Sequence, residues 1–328
     1  MLNRDEELVL GIDGGGTKSL LAAVTRQGSV TALLRGPGVN PFDGTDWREA
    51  LGEILTRASS LRPVAVAAGL PAYGEHAALN AKQEAAITQA FACPAKVHND
   101  VQMAYDGALG DRPGTLVLSG TGSMAWAQNG AEIVRVGGWG HGFGDEGSAY
   151  WIGWRAVTLL SHALDGRLDA PDFARAMLNR IGIADRRDPD KALTEWFYAL
   201  PHPRPTIAAL AQGIDAIAAS GDATALRIFE EAADELAAHV RTARRRCPQA
   251  GDAWSYAGGS FASPALKAAM AARLGAPVAP ALPPIGGALW RAAKMASWPV
   301  DAAWIARLAA SLANFKPASI NFHAVDER

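Results

Sequence analysis

Gly11-Ile-Asp-Gly-Gly-Gly-Thr-Lys18 follows the short apolar run Leu8-Val9-Leu10, which reads as a buried strand. Three consecutive glycines, Gly14, Gly15 and Gly16, leave the turn without Cβ atoms, so backbone N–H groups there can approach an anion closely. Asp13 ends the strand as a carboxylate, and Thr17 and Lys18 add donors. A second apolar run, Ser19-Leu-Leu-Ala-Ala-Val24, follows at once. The glycines therefore lie in a hairpin between two strands. A dinucleotide-binding fingerprint and a Walker loop both need a helix behind the glycine turn, so this order argues against them and leaves a phosphate cradle or an ordinary glycine hairpin.

The composition is that of ordinary globular material: 49% hydrophobic and 20% charged over 328 residues, enough for two domains. A formal net charge of −2 points to no nucleic-acid and no membrane-surface partner. The two cysteines, Cys93 and Cys247, form no metal-like spacing and no disulfide framework, which suits a reducing cytoplasm. The start is acidic without an apolar signal core, and no apolar run reaches the length of a membrane span.

Along the chain, a third strand at Val30–Leu34 leads into the loop Gly36-Pro-Gly-Val-Asn-Pro-Phe42. Thr45 or Asp46 caps a helix to about Leu61, with Trp47, Leu51, Ile54 and Leu55 at helical spacing. Strand Val64–Ala68, a helix over about Glu75–Phe91, strand Lys96–Asn99 and a helix over Asp100–Ala108 follow. The order then repeats. Strands at Thr115–Ser119, Met124–Ala127 and Ile133–Val136 enclose a second glycine turn, Gly120-Thr121-Gly122, followed by Ser123. Five helices span about Ser148 to Arg246; the last places Leu226, Phe229, Leu236 and Val240 on one face. Strand Trp254–Ala257 runs into a third glycine turn, Gly258-Gly259-Ser260. Helix Pro264–Leu274, strand Val278–Leu282, helix Gly286–Ala296 and a closing helix Ala302–Asn314 complete the chain, with a loose tail expected beyond. Two such units predict two sheet domains, 1–114 and 115–328, facing one cleft, with a helical insertion in the second; the final helix is expected to pack back on the first.

Ligands of open sheets bind at the carboxyl ends of strands. Three glycine turns at repeat-related strand ends point to ATP, with the third turn beside the nucleoside. Asp100, after His98 and Asn99, reads either as a plain N-cap or as a general base for phosphoryl transfer to a hydroxyl. Asp13 is then the candidate to hold Mg²⁺ through water. The densest stretch, Val136 to Gly153, packs seven glycines, two acids, a histidine and two tryptophans into eighteen residues, which suits a loop closing on a small polar ligand. Of Asp145 and Glu146, Glu146 is the first choice for compensating the dipole in the first turn of the following helix. His141 reads first as a hydrogen-bonded loop histidine and second as a base.

Gly11–Lys18, His98-Asn-Asp100, Ser119–Ser123 and Gly137–Gly153 together resemble the N-acetylglucosamine kinase group of the BadF/BadG/BcrA/BcrD ATPase family, within the actin, hexokinase and Hsp70 superfamily. The likeness runs from about Val9 to Val157 and resumes at Ala257-Gly-Gly-Ser260 and Pro284-Ile-Gly-Gly-Ala288; Leu159–Ala253 matches in character alone, and the segment from Trp298 has no counterpart. The resemblance implies an α/β fold of two ribonuclease H-like, actin-like ATPase domains with a central cleft. It implies ATP-dependent phosphorylation of the 6-hydroxyl of an amino sugar, with N-acetylglucosamine first and glucosamine second. It assigns Thr17 to the phosphates, Asn40 and Asn99 to the sugar, and Asp100 to sugar binding and base catalysis. Thr121 and Ser123 would line the ATP side, Gly138, Trp139 and Asp145 the sugar pocket, and Gly258, Gly259 and Ser260 the nucleotide. A homodimer is expected. A different class within the same family, ATP-gated activators of radical dehydratases, carries cluster cysteines that Cys93 and Cys247 do not reproduce.

Overall fold

The computed structural model describes residues 7–42, 46–58 and 60–315. The chain divides into two compact units, Met1–Arg112 with Ala279–Arg328, and Pro113–Val278.

In the first unit, β1 (Leu8–Gly14), β2 (Lys18–Thr25), β3 (Val30–Pro37), β4 (Pro63–Leu70) and β5 (Ala95–Asn99) form one sheet in the order β3-β2-β1-β4-β5. β1, β2 and β3 are antiparallel neighbours, and β4 and β5 join in parallel. The pleat sorts the apolar residues of β1 and β2 onto two faces. Leu10, Ile12, Leu21 and Ala23 meet α1 (Trp47–Arg57) and α2 (Ala77–Ala90). Val9, Ala22 and Val24 meet Leu289 and Trp290 of α10 (Pro284–Met295) and Trp304 and Leu308 of α11 (Ala302–Asn314). A sheet buried on both faces explains why β1 reads as a continuous apolar run. Asp46 caps α1, accepting from the amides of Arg48 and Glu49; Thr45 and the tail beyond Phe315 lie outside the described residues.

The expected second domain runs from residue 115 with only its final helix packing back on the first, whereas the structure returns the whole of Ala279–Arg328, α10 included, to the first unit. The reason is the lower face of the first sheet, which α10 and α11 cover. The segment from Trp298 thereby has a place: Trp304 Nε1 donates to Arg26 O at 3.1 Å, and Ser311 Oγ accepts from Val30 N at 2.9 Å.

In the second unit, β6 (Gly114–Ser119), β7 (Ser123–Asn129), β8 (Glu132–Gly137) and β9 (Trp254–Ala257) form a sheet in the order β8-β7-β6-β9. β6, β7 and β8 are antiparallel, and β9 lies parallel to β6, which repeats the first four strands of the other sheet. The expected strand at Val278–Leu282 is not formed. Pro280 and Pro283 remove ladder donors, and the segment makes single bonds instead, Val278 N to Trp254 O and Leu282 N to Gly107 O, each 2.8 Å. Helices α4 (Ala149–Leu164), α5 (Pro171–Arg180), α6 (Pro189–Tyr198), α7 (Pro203–Ala219), α8 (Ala223–Arg246) and α9 (Pro264–Leu274) complete the unit. Phe229, Leu236 and Val240 of α8 are buried as expected, but Leu226 is 40% exposed, because it sits one turn from the helix start, off the packed face.

α10 crosses α3 (Asp100–Leu109) glycine to glycine: a Cβ on Gly287 would collide with the carbonyl oxygen of Met103 and the amide of Gly107. Gly287→Ala should therefore destabilise the protein by about 1–3 kcal/mol through overpacking. Gly52, inside α1 with open space around it, should behave oppositely: Gly52→Ala should gain roughly 0.5–1 kcal/mol. Urea unfolding midpoints at constant slope decide both.

Candidate active site

The first unit presents the Gly14–Lys18 turn. β1 and β2 pair as far as Gly14 and Ser19, and Gly15 N donates to Lys18 O at 2.9 Å, so the turn is tight. The loop after β3 supports it from behind. Val39 N donates to Gly15 O at 2.9 Å, and a side chain on Gly38 would collide with the Gly16 carbonyl. Gly16, Thr17 and Lys18 are left exposed. Asn40 follows this support, its Oδ1 accepting from Phe42 N at 3.2 Å.

Asp13, Gly69 and His98 stand in register on β1, β4 and β5. Gly69 has no side chain where α3 begins: a Cβ there would lie 3.2 Å from the Cα of Asp100 and would collide with Met103. The register therefore brings Asp100 to the strand next to Asp13. The helix cap is Asn99, whose Oδ1 accepts from Val101 N at 3.0 Å while its Nδ2 donates to Tyr73 O at 2.9 Å. Asp100 is the first helical residue rather than the cap, so the plain capping role belongs to its neighbour. Burial pushes the Asp100 carboxyl up to about 7, and the charge of Asp13 adds to this; the Val101 amide, bonded to Oδ1 at 3.0 Å, opposes both. Burial likewise pushes Asp13 up to about 6, against the pull of Lys18. His98 is held down to about 4 by burial, with Arg291 and Lys96 adding to it, so it brings no positive charge to Asp100 at neutral pH.

Two half-buried carboxylates of which one raises the other suit a cation, which would remove that repulsion. Mg²⁺ takes few protein carboxylates and keeps most of its waters. Asp13, beside the turn, fits that role. No cluster of three or more potential metal ligands occurs among the described residues.

The second unit joins its glycine turns to the long glycine segment. A Cβ on Gly258, at φ +99°, would collide with Ser119 O, so the third turn lies directly on the second. Ser260 is buried beneath it. Residues 145–149 are fastened to the Gly120–Gly122 turn. Ser119 Oγ donates to Gly147 O at 2.9 Å, Ser123 Oγ to Glu146 O at 2.6 Å, and Ala149 N to Gly120 O at 2.8 Å. The Ser123 hydroxyl is thus engaged inside the unit. Asp145 is buried with φ +59°, an uncommon conformation for a non-glycine residue. Its Oδ1 accepts from Ser123 N at 3.3 Å, and Oδ2 lies 3.3 Å from Nη2 of Arg204. Gly138 is held by Arg135, which donates to its carbonyl, and Trp139 projects with 67% exposure.

Two expectations change here. Glu146 does not sit in the first turn of α4; Ser148 caps that helix, accepting from Trp151 N at 3.1 Å, and the Glu146 carboxylate turns to His239 at 3.5 Å. His141 is exposed and meets Tyr150 edge-on at 5.2 Å, a ring contact in place of the expected hydrogen bond. Gly69, Arg204 and His239 are the residues that sequence reading missed. Gly69 stood in a turn-rich stretch, and the other two lie in helices whose spacing signals only packing.

The raised acidities fix a sign for stability. A carboxyl whose folded pKa lies above its unfolded value of 3.8 favours folding when protonated; that advantage is complete below 3.8 and is lost as pH rises through about 7. Asp100→Asn should therefore raise the melting temperature of the protein at pH 8 without divalent cations, and the gain should vanish toward pH 4. Calorimetric scans across that range check it.

Comparison with known proteins follows the same lines. An N-acetylmuramic acid/N-acetylglucosamine kinase of Clostridium acetobutylicum is 28% identical over 71% of this chain and 78% of its own length. The crystal structure of a candidate N-acetylglucosamine kinase from Chromobacterium violaceum superposes with TM-score 0.69 at 26% identity, covering 86% of this chain and 98% of that one. A ROK-family glucokinase from Streptomyces griseus, 17% identical and covering 87% and 98% of the two chains, superposes with TM-score 0.61 and shares the fold. The model of the BadF/BadG/BcrA/BcrD ATPase family matches residues 10–290. The chain belongs to the BadF/BadG/BcrA/BcrD ATPase family.

Proposed function

We propose that this protein is an ATP-dependent amino-sugar kinase that phosphorylates the 6-hydroxyl of N-acetylglucosamine. The observation that carries the reading is Asp100: a carboxylate in the first turn of α3, one residue past the Asn99 cap, standing against Gly69 of β4, the strand that pairs with Asp13. Two of the three named relatives support the substrate class, one named as an N-acetylmuramic acid/N-acetylglucosamine kinase and one as a candidate N-acetylglucosamine kinase.

In this reading Asp100 accepts the proton of the sugar hydroxyl as the hydroxyl oxygen bonds to the γ-phosphorus of ATP and the bond from that phosphorus to the β,γ-bridging oxygen breaks, releasing ADP. A base with a pKa near the working pH is the effective kind, and Asp100 at about 7 meets that condition. The same carboxylate orients the hydroxyl, which adds an entropic advantage. Asp13 would hold Mg²⁺ through water, and the ion when bound would supply charge neutralisation at the transferring phosphate. The backbone of Gly14–Gly16 with Thr17 and Lys18 binds phosphate oxygens, and so do the Gly120–Gly122 turn and Thr121. Gly258, Gly259 and Ser260 meet the nucleoside. Asn40 and the loop of Gly138, Trp139 and Asp145 bind the sugar. Asn99 acts beside them by fixing the place of Asp100.

A coupled ADP-release assay over hexoses with free, 2-amino, 2-acetamido and 3-lactyl groups tests the reading. N-acetylglucosamine should give the highest kcat/KM; glucosamine as the preferred substrate would revise the substrate, and sugar-independent ATP turnover would remove the kinase reading. Asp100→Asn should cut kcat by at least about a hundredfold with little change in sugar KM. Asp145→Asn should raise the sugar KM first. Asp13→Asn should weaken use of Mg·ATP while calorimetry still detects sugar binding; the reverse result would exchange the roles of Asp13 and Asp145.

A further inference from the structure

α8 runs beneath both ends of the glycine segment 137–147. At its far end Gly147, φ +74°, leaves no room for a side chain: a Cβ would lie 2.6 Å from Leu236 Cγ and 2.7 Å from Ala232 O. At its near end Gly137, φ +76°, is equally constrained, since a Cβ would lie 2.9 Å from Nε2 of His239. Ala232, Leu236 and His239 are spaced four and three residues apart, which puts them on one face of the helix. The same Nε2 that a Cβ on Gly137 would meet lies 3.5 Å from Oε2 of Glu146. One imidazole nitrogen thus meets the beginning and the end of the segment. Farther along α8, Arg246 Nη1 donates to Arg135 O at 3.0 Å, and Arg135 Nε donates to Gly137 O at 3.3 Å.

We propose that His239 is a positioning residue for the sugar: it ties the two ends of the 137–147 loop together, so that Trp139 and Asp145 are presented in one fixed geometry. The proposal rests on the kinase reading and deepens it. Burial keeps the imidazole below its ordinary pKa, against the nearby acids Glu146, Glu235 and Asp145. A neutral imidazole that faces a carboxylate through Nε2 carries its proton on that nitrogen. His239 therefore stands as a neutral imidazole at a fixed point, its Nε2 3.5 Å from a buried carboxylate oxygen that has no hydrogen-bond partner; a glutamine amide can take that place and an alanine cannot. Without the tie, Gly137, Gly138 and Gly140 leave the near end of the loop many backbone conformations to lose on binding sugar.

The test compares wild type, His239→Ala, His239→Gln, Glu146→Gln and the double variant His239→Ala/Glu146→Gln in steady-state kinetics with N-acetylglucosamine and ATP. Hydrogen exchange of the unliganded proteins runs in parallel. His239→Ala should raise the sugar KM about tenfold, the size of one hydrogen bond to a charged group. The KM for ATP should hold, as should kcat at saturating sugar. His239→Gln should restore most of the affinity, and Glu146→Gln should add little once His239 is alanine. Amides of residues 137–147 should exchange faster in His239→Ala while those of α5 and α9 do not. An unchanged sugar KM together with unchanged exchange would overturn the proposal. So would a parallel fall in kcat and in both affinities with faster exchange across the whole unit, which is the mark of simple packing. If the wild type phosphorylates no amino sugar, the kinase reading falls, and the exchange pattern alone still decides whether His239 ties the loop.

Discussion

The first unit is built around placing two carboxylates close together where water is scarce. Asp13 ends β1 and Asp100 begins α3, and the burial that raises both also makes their charges costly. That arrangement persists because the surrounding structure over-determines it. Parallel pairing fixes the register of Asp13, Gly69 and His98, the missing side chain of Gly69 admits the helix, and Asn99 holds the first turn. The opposing energy comes from a sheet buried on both faces, closed by helices contributed from the end of the chain.

The second unit solves a related problem with a different device. Its glycine turns are fastened to the start of α4 through serine hydroxyls and backbone amides, and Asp145 sits among these bonds in a left-handed conformation. Strain of that kind survives only where neighbours enforce it. Arg204 from α7 meets the Asp145 carboxylate and His239 from α8 faces that of the neighbouring Glu146, so helices that follow the glycine segment in sequence bear on the shape of its loop.

Most of the architecture was legible in the sequence because strong periodicity and glycine turns mark it. The hairpin at Gly14–Gly16, the repeated strand order and α8 all follow from such local signals. Three features did not. Val278–Leu282 carries strand-like residues, but Pro280 within it and Pro283 just after it remove ladder donors. The return of α10 to the first unit, alongside the α11 that is expected there, depends on which sheet face stands open, a long-range matter. Glu146 was assigned to the dipole of α4 from position alone, whereas the helix starts later and the carboxylate finds an imidazole that is ninety-three residues away in the chain. Asp100 shows the same boundary: its neighbourhood was readable, but only the structure separates it from the capping role that Asn99 performs.

The account stands on transfer of phosphate to a sugar hydroxyl by a site containing Asp100. The most direct measurement is ³¹P–¹H correlation NMR of the wild type and Asp100→Asn incubated with ATP, Mg²⁺ and N-acetylglucosamine. The account predicts one phosphomonoester signal correlated with the two protons on carbon 6 in the wild-type reaction, strongly diminished with the variant. ADP and inorganic phosphate without any sugar phosphate, or an equal yield of sugar phosphate from both proteins, would contradict it.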